Sequence, residues 1–304
     1  MTPLVYAVPL RTRFRGITVR EGVLLRGDAG WGEFSPFLDY DAAECGAWLR
    51  AAREAADEGW PPPVRRQIPV NVTVPAVGPE QAAEIVRQGG CRTAKVKVAE
   101  PGQSEADDLA RVEAVRDALG PAGKIRVDAN GGWDVDTAVR VLKLLDRFDL
   151  EYAEQPCRTV EDLATVRRRQ HVPVAADESI RRAEDPLRVA RLEAADIAVL
   201  KVQPLGGVRA CLEIAERIGL PVVVSSALET SVGIAAGVAL AAALPELEYA
   251  CGLATVQLLE RDVVADPLLP VDGMLPVRRP EPADVPPVDL QTRQRWLDRL
   301  EAAA

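Results

Sequence analysis

Through the middle of the chain, short apolar and β-branched runs alternate with longer stretches whose apolar positions recur at helical spacing. Ile68–Thr73, Ala94–Val98, Lys124–Asp128, Leu150–Glu154, Val172–Asp177, Asp196–Lys201, Pro221–Ser225 and Leu247–Cys251 read as strands. Between them, Glu80–Gln88, Glu105–Leu119, Val135–Phe148, Val160–Gln170, Val208–Ile218 and Glu229–Leu244 read as helices. Such alternation calls for parallel strands joined by crossover helices, and a succession of this length favours a closed barrel over an open sheet. No G-x-G-x-x-G turn follows any strand, as a dinucleotide-binding sheet would require.

The two ends of the chain follow a different rhythm. Ile17–Leu25 and Gly30-Trp31-Gly32-Glu33 suggest antiparallel strands, and Ala42–Asp57 a helix that Trp60-Pro61-Pro62-Pro63 brings to a stop. The tail is proline-rich until an amphipathic segment, Leu290–Leu300. The expected organisation is a small α+β domain over residues 1–66, a barrel over 67–259, and a tail, 260–304, packing back on the first domain.

A strand buried on both faces turns polar only where it leaves the core. Here the strands end on a restricted set of charges: Lys95 and Lys97, then Asp128, Glu154, Asp177 and Lys201. Each lies one strand-plus-helix unit beyond the last, so all belong to one rim, the C-terminal mouth where barrels keep their chemistry. A single such acid is most simply a helix cap or an arginine's partner. Three on successive strands form a hard-oxygen set suited to Mg²⁺, with Mn²⁺ as a substitute. Lys95 and Lys97, two apart, face the same side. Their mutual repulsion lowers a lysine pKa toward the range of a base. Lys201 comes from across the mouth. Together these groups fit removal of a proton alpha to a carboxylate.

Composition narrows the partners. The 304 residues are 48% hydrophobic and carry a net charge of −9, which suits a globular chain and argues against nucleic acid or an anionic membrane. The longest apolar run, Val232–Leu244, is too short for membrane insertion, and the first residues lack a signal peptide's basic and apolar regions. Five scattered cysteines read as reduced thiols of a cytoplasmic protein. The only histidine, His171, precedes a strand at the opposite rim and rules out a histidine-rich zinc site.

Weaker candidates surround the same mouth. Asn130 reads equally as a turn residue or as a donor behind the main groups, and Glu178 as an orienting partner. Ser226-Ala-Leu-Glu229 has the spacing of a capping box, and the helix it opens offers an N-terminus to an anionic substrate group. Ser225, Ser226 and Gly252 are further candidates for substrate contact. So are Arg13 and Arg15, within a basic loop, Arg11–Gly16, read as a lid.

Taken jointly, Lys-x-Lys at 95–97, Asp-Ala-Asn at 128–130, Glu-Gln-Pro at 154–156, Asp-Glu-Ser at 177–179 and Lys201 resemble the enolase superfamily, muconate-lactonising subgroup. The resemblance covers essentially the whole chain. It implies a modified (β/α)7β barrel with an α+β capping domain made from both chain ends. It implies Asp128, Glu154 and Asp177 as Mg²⁺ ligands, Lys97 and Lys201 as the acid/base pair, and Lys95 tuning Lys97. The mandelate-racemase branch needs a His/Asp dyad this chain cannot supply. Dipeptide epimerases carry Asp-x-Asp where this chain has Gly252-Leu253-Ala254. Gly30–Phe37, Ala94–Val98, Ser225–Gly233 and Gly252–Thr255 resemble a branch that dehydrates a small anionic carboxylate, 2-succinyl-6-hydroxy-2,4-cyclohexadiene-1-carboxylate, in menaquinone biosynthesis. The alternatives are racemisation of N-acylamino acids on the same lysines and a non-catalytic binding barrel.

Overall fold

In the computed structural model, which describes residues 3–283 and 285–304, an antiparallel sheet opens the chain. Its strands are β1 (Leu4–Phe14), β2 (Ile17–Gly27) and β3 (Gly30–Phe34), in that order. The supposed lid loop proves to be mostly strand: Arg11 to Phe14 finish β1, and only Arg15 and Gly16 make the turn, at φ 47° and 78°. Two successive positive-φ residues match the twist of a tight hairpin, so the segment is a two-residue hairpin end and not a loop. Helix α1 (Ala42–Arg53) starts at Asp41, whose carboxylate accepts from Glu44 N while Glu44 returns the bond.

Strand β4 (Gln67–Pro69) pairs antiparallel with β12 (Met274–Pro276) of the tail, outside the barrel. The expected strand Ile68–Thr73 is therefore two: Pro69 ends one ladder, and β5 (Val72–Val74) begins another. From there the expected alternation follows: α2 (Pro79–Gly89), β6 (Thr93–Lys97), α3 (Glu105–Leu119), β7 (Lys124–Asp128), α4 (Val135–Leu145), β8 (Leu150–Glu154), α5 (Val160–Arg169) and β9 (Val174–Ala176). One-turn helices α6 (Glu178–Arg181) and α7 (Arg188–Arg191) lead to β10 (Ile197–Leu200), then α8 (Val202–Leu205), α9 (Val208–Ile218), β11 (Val222–Val224) and α10 (Ser231–Ala243). Strands β5 to β11 form one parallel sheet in sequence order.

Leu247–Cys251 does not form an eighth strand. Only Cys251 and Gly252 reach the sheet, bridging Val70 on one side and Ser225 on the other, and these two contacts close the barrel. Leu247 and Tyr249 are only half-buried, so nothing extends the ladder. Ser226–Glu229 is not a capping box either. Helix α10 begins later, with Thr230 as the cap accepting from Val232 N. The amides of its first turn are filled from the first domain and the tail. Glu33 accepts from Thr230 N and Gly233 N, and Asp262 from Ser231 N. No amide is left there for a substrate anion.

One core lies between the barrel strands and their helices. A second joins residues from β1, β2, β3 and α1 to Val263, Val264 and Trp296, the last from α11 (Leu290–Ala302). Trp296 is 1% exposed and meets Phe34 edge-on at 6.3 Å. Trp296→Ala empties this core and is expected to cost about 3–5 kcal/mol, read as a lower urea midpoint.

Just before α10, Glu229 is fully buried, and burial, with Glu33 adding repulsion, pushes it up to about 7 from 4.5. An acid raised in the folded state contributes fully below its unfolded pKa and loses that contribution as pH rises through the folded one. Between pH 4.5 and 7, then, Glu229 makes stability fall with pH. Glu229→Gln should flatten that fall by roughly 2–3 kcal/mol, measured as urea stability across the window.

Candidate active site

The parallel register sets the charged residues side by side. Lys97 pairs with Asp128, and Asp128 with Glu154, each at the last position of its strand. Asp177 and Lys201 stand one residue past β9 and β10. All of these, with Lys95, are buried, and Asp128 and Asp177 have no solvent exposure.

Each acid meets a cation. Lys95 Nζ donates to both oxygens of Glu154, at 2.8 and 3.0 Å, and lies 3.2 Å from Asp128 Oδ2. Lys97 Nζ donates to Asp128 Oδ2 at 2.5 Å and to Asn130 Oδ1 at 2.7 Å. Lys201 Nζ donates to Asp177 Oδ2 at 2.6 Å, and Arg181 Nε to Asp177 Oδ1 at 2.9 Å. Asn130 serves both readings: its φ of 46° makes the turn, and its side chain links Lys97 to Glu178, donating to Glu178 Oε1 at 3.1 Å. Glu178 also accepts from Arg181 at 2.5 Å.

The two lysines of β6 part company. Burial lowers Lys97, Asp128 opposes, and neighbouring Lys95 lowers it further, leaving it below the ordinary lysine value. Burial acts the same way on Lys95, but Glu154 and Asp128 outweigh it and hold that lysine high. The expected repulsion is thus present, behind burial, and acts to lower Lys97 alone. Glu154 is pushed up to about 7, chiefly by burial and then by Asp128. Asp128 is held well below the usual range because Lys97 and Lys95 overcome its burial, and Asp177 likewise because of Arg181 and Lys201.

Among the described residues, no trio of His, Cys, Asp or Glu is already gathered as a ligand set, because each acid is turned to an ammonium or guanidinium. The donor chemistry nevertheless fits a hard divalent cation. Three buried carboxylates from adjacent strand ends converge with no nitrogen or sulfur donor among them, and their lysine contacts mark the oxygens such a cation would share.

A cavity of ≈ 30 Å³ opens above these groups, lined by Lys97, Lys201, Ser225, Ser226 and Gly252 among others. Ser226 Oγ lies 2.8 Å from Thr255 Oγ1, and a Cβ at position 252 would come within 2.5 Å of Ser225 Oγ, which explains the glycine. The hairpin supplies Phe14 and Arg15, and Phe14 stands 5.5 Å from Lys97 Nζ. Arg13 lies in an adjoining vestibule of ≈ 590 Å³ that also touches Arg15, Lys97 and Asn130.

Several contributors were absent from the sequence reading. Arg181 had a readable signal, four residues beyond Asp177 at helical spacing. Thr73 lines the cavity from a place with no local signature, Phe14 and Phe37 from segments already singled out as a lid and a motif, and His171 is exposed beside Asp146.

The chain as a whole is similar to known proteins. Residues 5–56 match the family model "Enolase N-terminal domain-like", and residues 79–282 match "Enolase C-terminal domain-like". The o-succinylbenzoate synthase of Thermobifida fusca (strain YX) is 69% identical over 304 residues, covering 100% of this chain and 96% of that protein. That of Mycobacterium bovis (strain BCG / Pasteur 1173P2) is 58% identical over 308 residues, covering 98% and 92%. In fold, the muconate lactonizing enzyme of Pseudomonas fluorescens, solved with muconolactone, is similar at a TM-score of 0.78 and 24% identity, covering 97% of each chain. By both family models and by identity along its full length, the chain belongs to the o-succinylbenzoate synthase family of the enolase superfamily.

Proposed function

We propose that the barrel mouth carries out the dehydration for which its relatives are named. The substrate is 2-succinyl-6-hydroxy-2,4-cyclohexadiene-1-carboxylate, the product 2-succinylbenzoate, and the pathway menaquinone biosynthesis. The observation that carries the reading is Lys97: a buried lysine lowered in pKa, fixed between Asp128 and Asn130, at the floor of the cavity. Enzymes of the superfamily typically use a divalent metal. Asp128, Glu154 and Asp177 would hold Mg²⁺, or Mn²⁺ in its place, and when bound it supplies positive charge to the substrate carboxylate as the alpha carbon loses its proton.

The chain's own groups account for the proton. Lys97, neutral, takes the alpha proton, and the C–H pair moves into the carboxylate as an enediolate. The pair then returns to form the ring double bond, the C–O bond breaks, and the same lysine protonates the departing hydroxyl on that face, releasing water. Lys201 lies across the cavity, where its ammonium faces the developing π-system. Lys95 holds Glu154 and Asp128 in place and reinforces the lowered pKa of Lys97. Asn130 fixes the direction of the Lys97 amine, and Glu178 fixes Asn130. Ser225, Ser226 and Gly252 shape the wall against the ring, and Arg13 and Arg15 at the vestibule draw in the dicarboxylate. Aromatisation makes the elimination downhill, so a few well-placed groups suffice.

Turnover is followed as loss of the cyclohexadiene absorbance. Metal-replete protein should turn over, a chelator should abolish the reaction, and Lys97→Ala should lower kcat by about 10²–10⁴-fold. Lys201→Arg keeps the positive charge and should retain part of the dehydration. Racemisation of N-acylamino acids without any dehydration would overturn the assignment.

A further inference from the structure

Arg20 lies on β2, away from every charged strand end, yet it is 2% exposed and its guanidinium reaches the barrel. Its Nε donates to Leu228 O at 2.9 Å, and one terminal nitrogen donates to Ala227 O at 3.2 Å and Ser35 Oγ at 2.9 Å, with the Ser35 carbonyl closer still. The same guanidinium stands 4.5 Å from the centre of the Phe37 ring. Ala227, Leu228 and Phe37 all line the cavity above Lys97 and Lys201. One buried cation therefore holds two separate pieces of the cavity wall, the Ala227–Leu228 turn and Phe37.

The backbone it grips is under strain. Leu228 has φ 64°, a left-handed conformation that a branched side chain avoids. A left-handed non-glycine residue persists only where its surroundings over-determine it. The surroundings here are two carbonyls bound by Arg20 on one side and, just beyond, Glu33 accepting from Thr230 and Gly233 amides. Arg20 and Glu33 both come from the first sheet, so the seventh strand's loop takes its shape from the cap.

We propose that Arg20 is a positioning residue for the dehydration: it holds Ala227 and Leu228 in the left-handed turn that places them against the substrate. This rests on the functional reading above for the identity of the substrate. A wall in contact with the ring from binding onward acts alike on ground and transition states, so loosening it raises KM and leaves kcat nearly unchanged. Arg20→Lys keeps the charge beside Glu33 and Glu229, but a single ammonium lacks the planar fork that spans the Leu228, Ala227 and Ser35 carbonyls and the Ser35 hydroxyl.

The test is a double-mutant cycle on the full-length, metal-loaded enzyme. Arg20→Lys should raise KM about 10-fold with kcat within about 3-fold of the parent. With Leu228→Gly, the left-handed turn needs no restraint, and adding Arg20→Lys should then raise KM less than about 3-fold. An equal factor in both backgrounds, or a fall in kcat at constant KM, would overturn the proposal. Hydrogen exchange tests the latch without any substrate: in Arg20→Lys the amides of residues 225–230 should exchange faster while β6 to β8 stay protected. Unchanged exchange at 225–230 refutes the latch whatever the reaction is, whereas a parent enzyme that fails to turn over refutes only the reaction. Should Arg20→Lys not fold, Ser35→Ala removes one anchor of the guanidinium and should give the same two effects in smaller measure.

Discussion

A carboxylate without solvent exposure either keeps its proton or has positive charge buried beside it. At this barrel mouth Asp128, Glu154 and Asp177 are matched by Lys95, Lys97, Lys201 and Arg181, each within hydrogen-bonding distance of an acid. The matching decides more than stability. It gives Lys95 two acids and Lys97 a share of one, which is why adjacent lysines of one strand settle on opposite sides of the ordinary lysine value. Position alone thereby sets the two lysines of one strand apart.

The first sheet completes that environment. Phe14 at the hairpin end stands over Lys97, and Tyr40, from the loop before α1, accepts from the Arg181 that braces Asp177. Arg20 and Glu33 set the loop before α10. The desolvation that lowers Lys97, the bracing of one acid and the form of the cavity wall thus come from residues that carry none of the chemistry. Cap and barrel make a single site, and changes on β2 or β3 should be felt in binding before they are felt in the chemical step.

The charged strand ends were legible in the sequence because a doubly buried strand tolerates charge only where it leaves the sheet. Asp128 and Glu154 close β7 and β8 at the expected residues. What was not legible depended on distant partners. Arg20 contacts carbonyls 207 and 208 residues away, and no local pattern announces it. Ser226 and Glu229 have capping-box spacing, yet the helix starts later because Thr230 caps it and Glu33, from another sheet, fills its amides. Strand β1 was hidden by Pro9 and its run of arginines, and Leu247–Cys251 had a strand's composition without neighbours long enough to pair with it.

The second core draws on both ends of the chain, from Val5 to Trp296, with the barrel between them. During synthesis the first sheet leaves the ribosome with the edge of Phe34 and the face of α1 bare, and their covering helix, α11, emerges only after the barrel. Until then those apolar surfaces have no native partner, and at translation rates of about 5–20 residues per second that interval lasts many seconds. A nascent chain built this way carries bare apolar surface until its second core can close, an interval in which aggregation competes with folding.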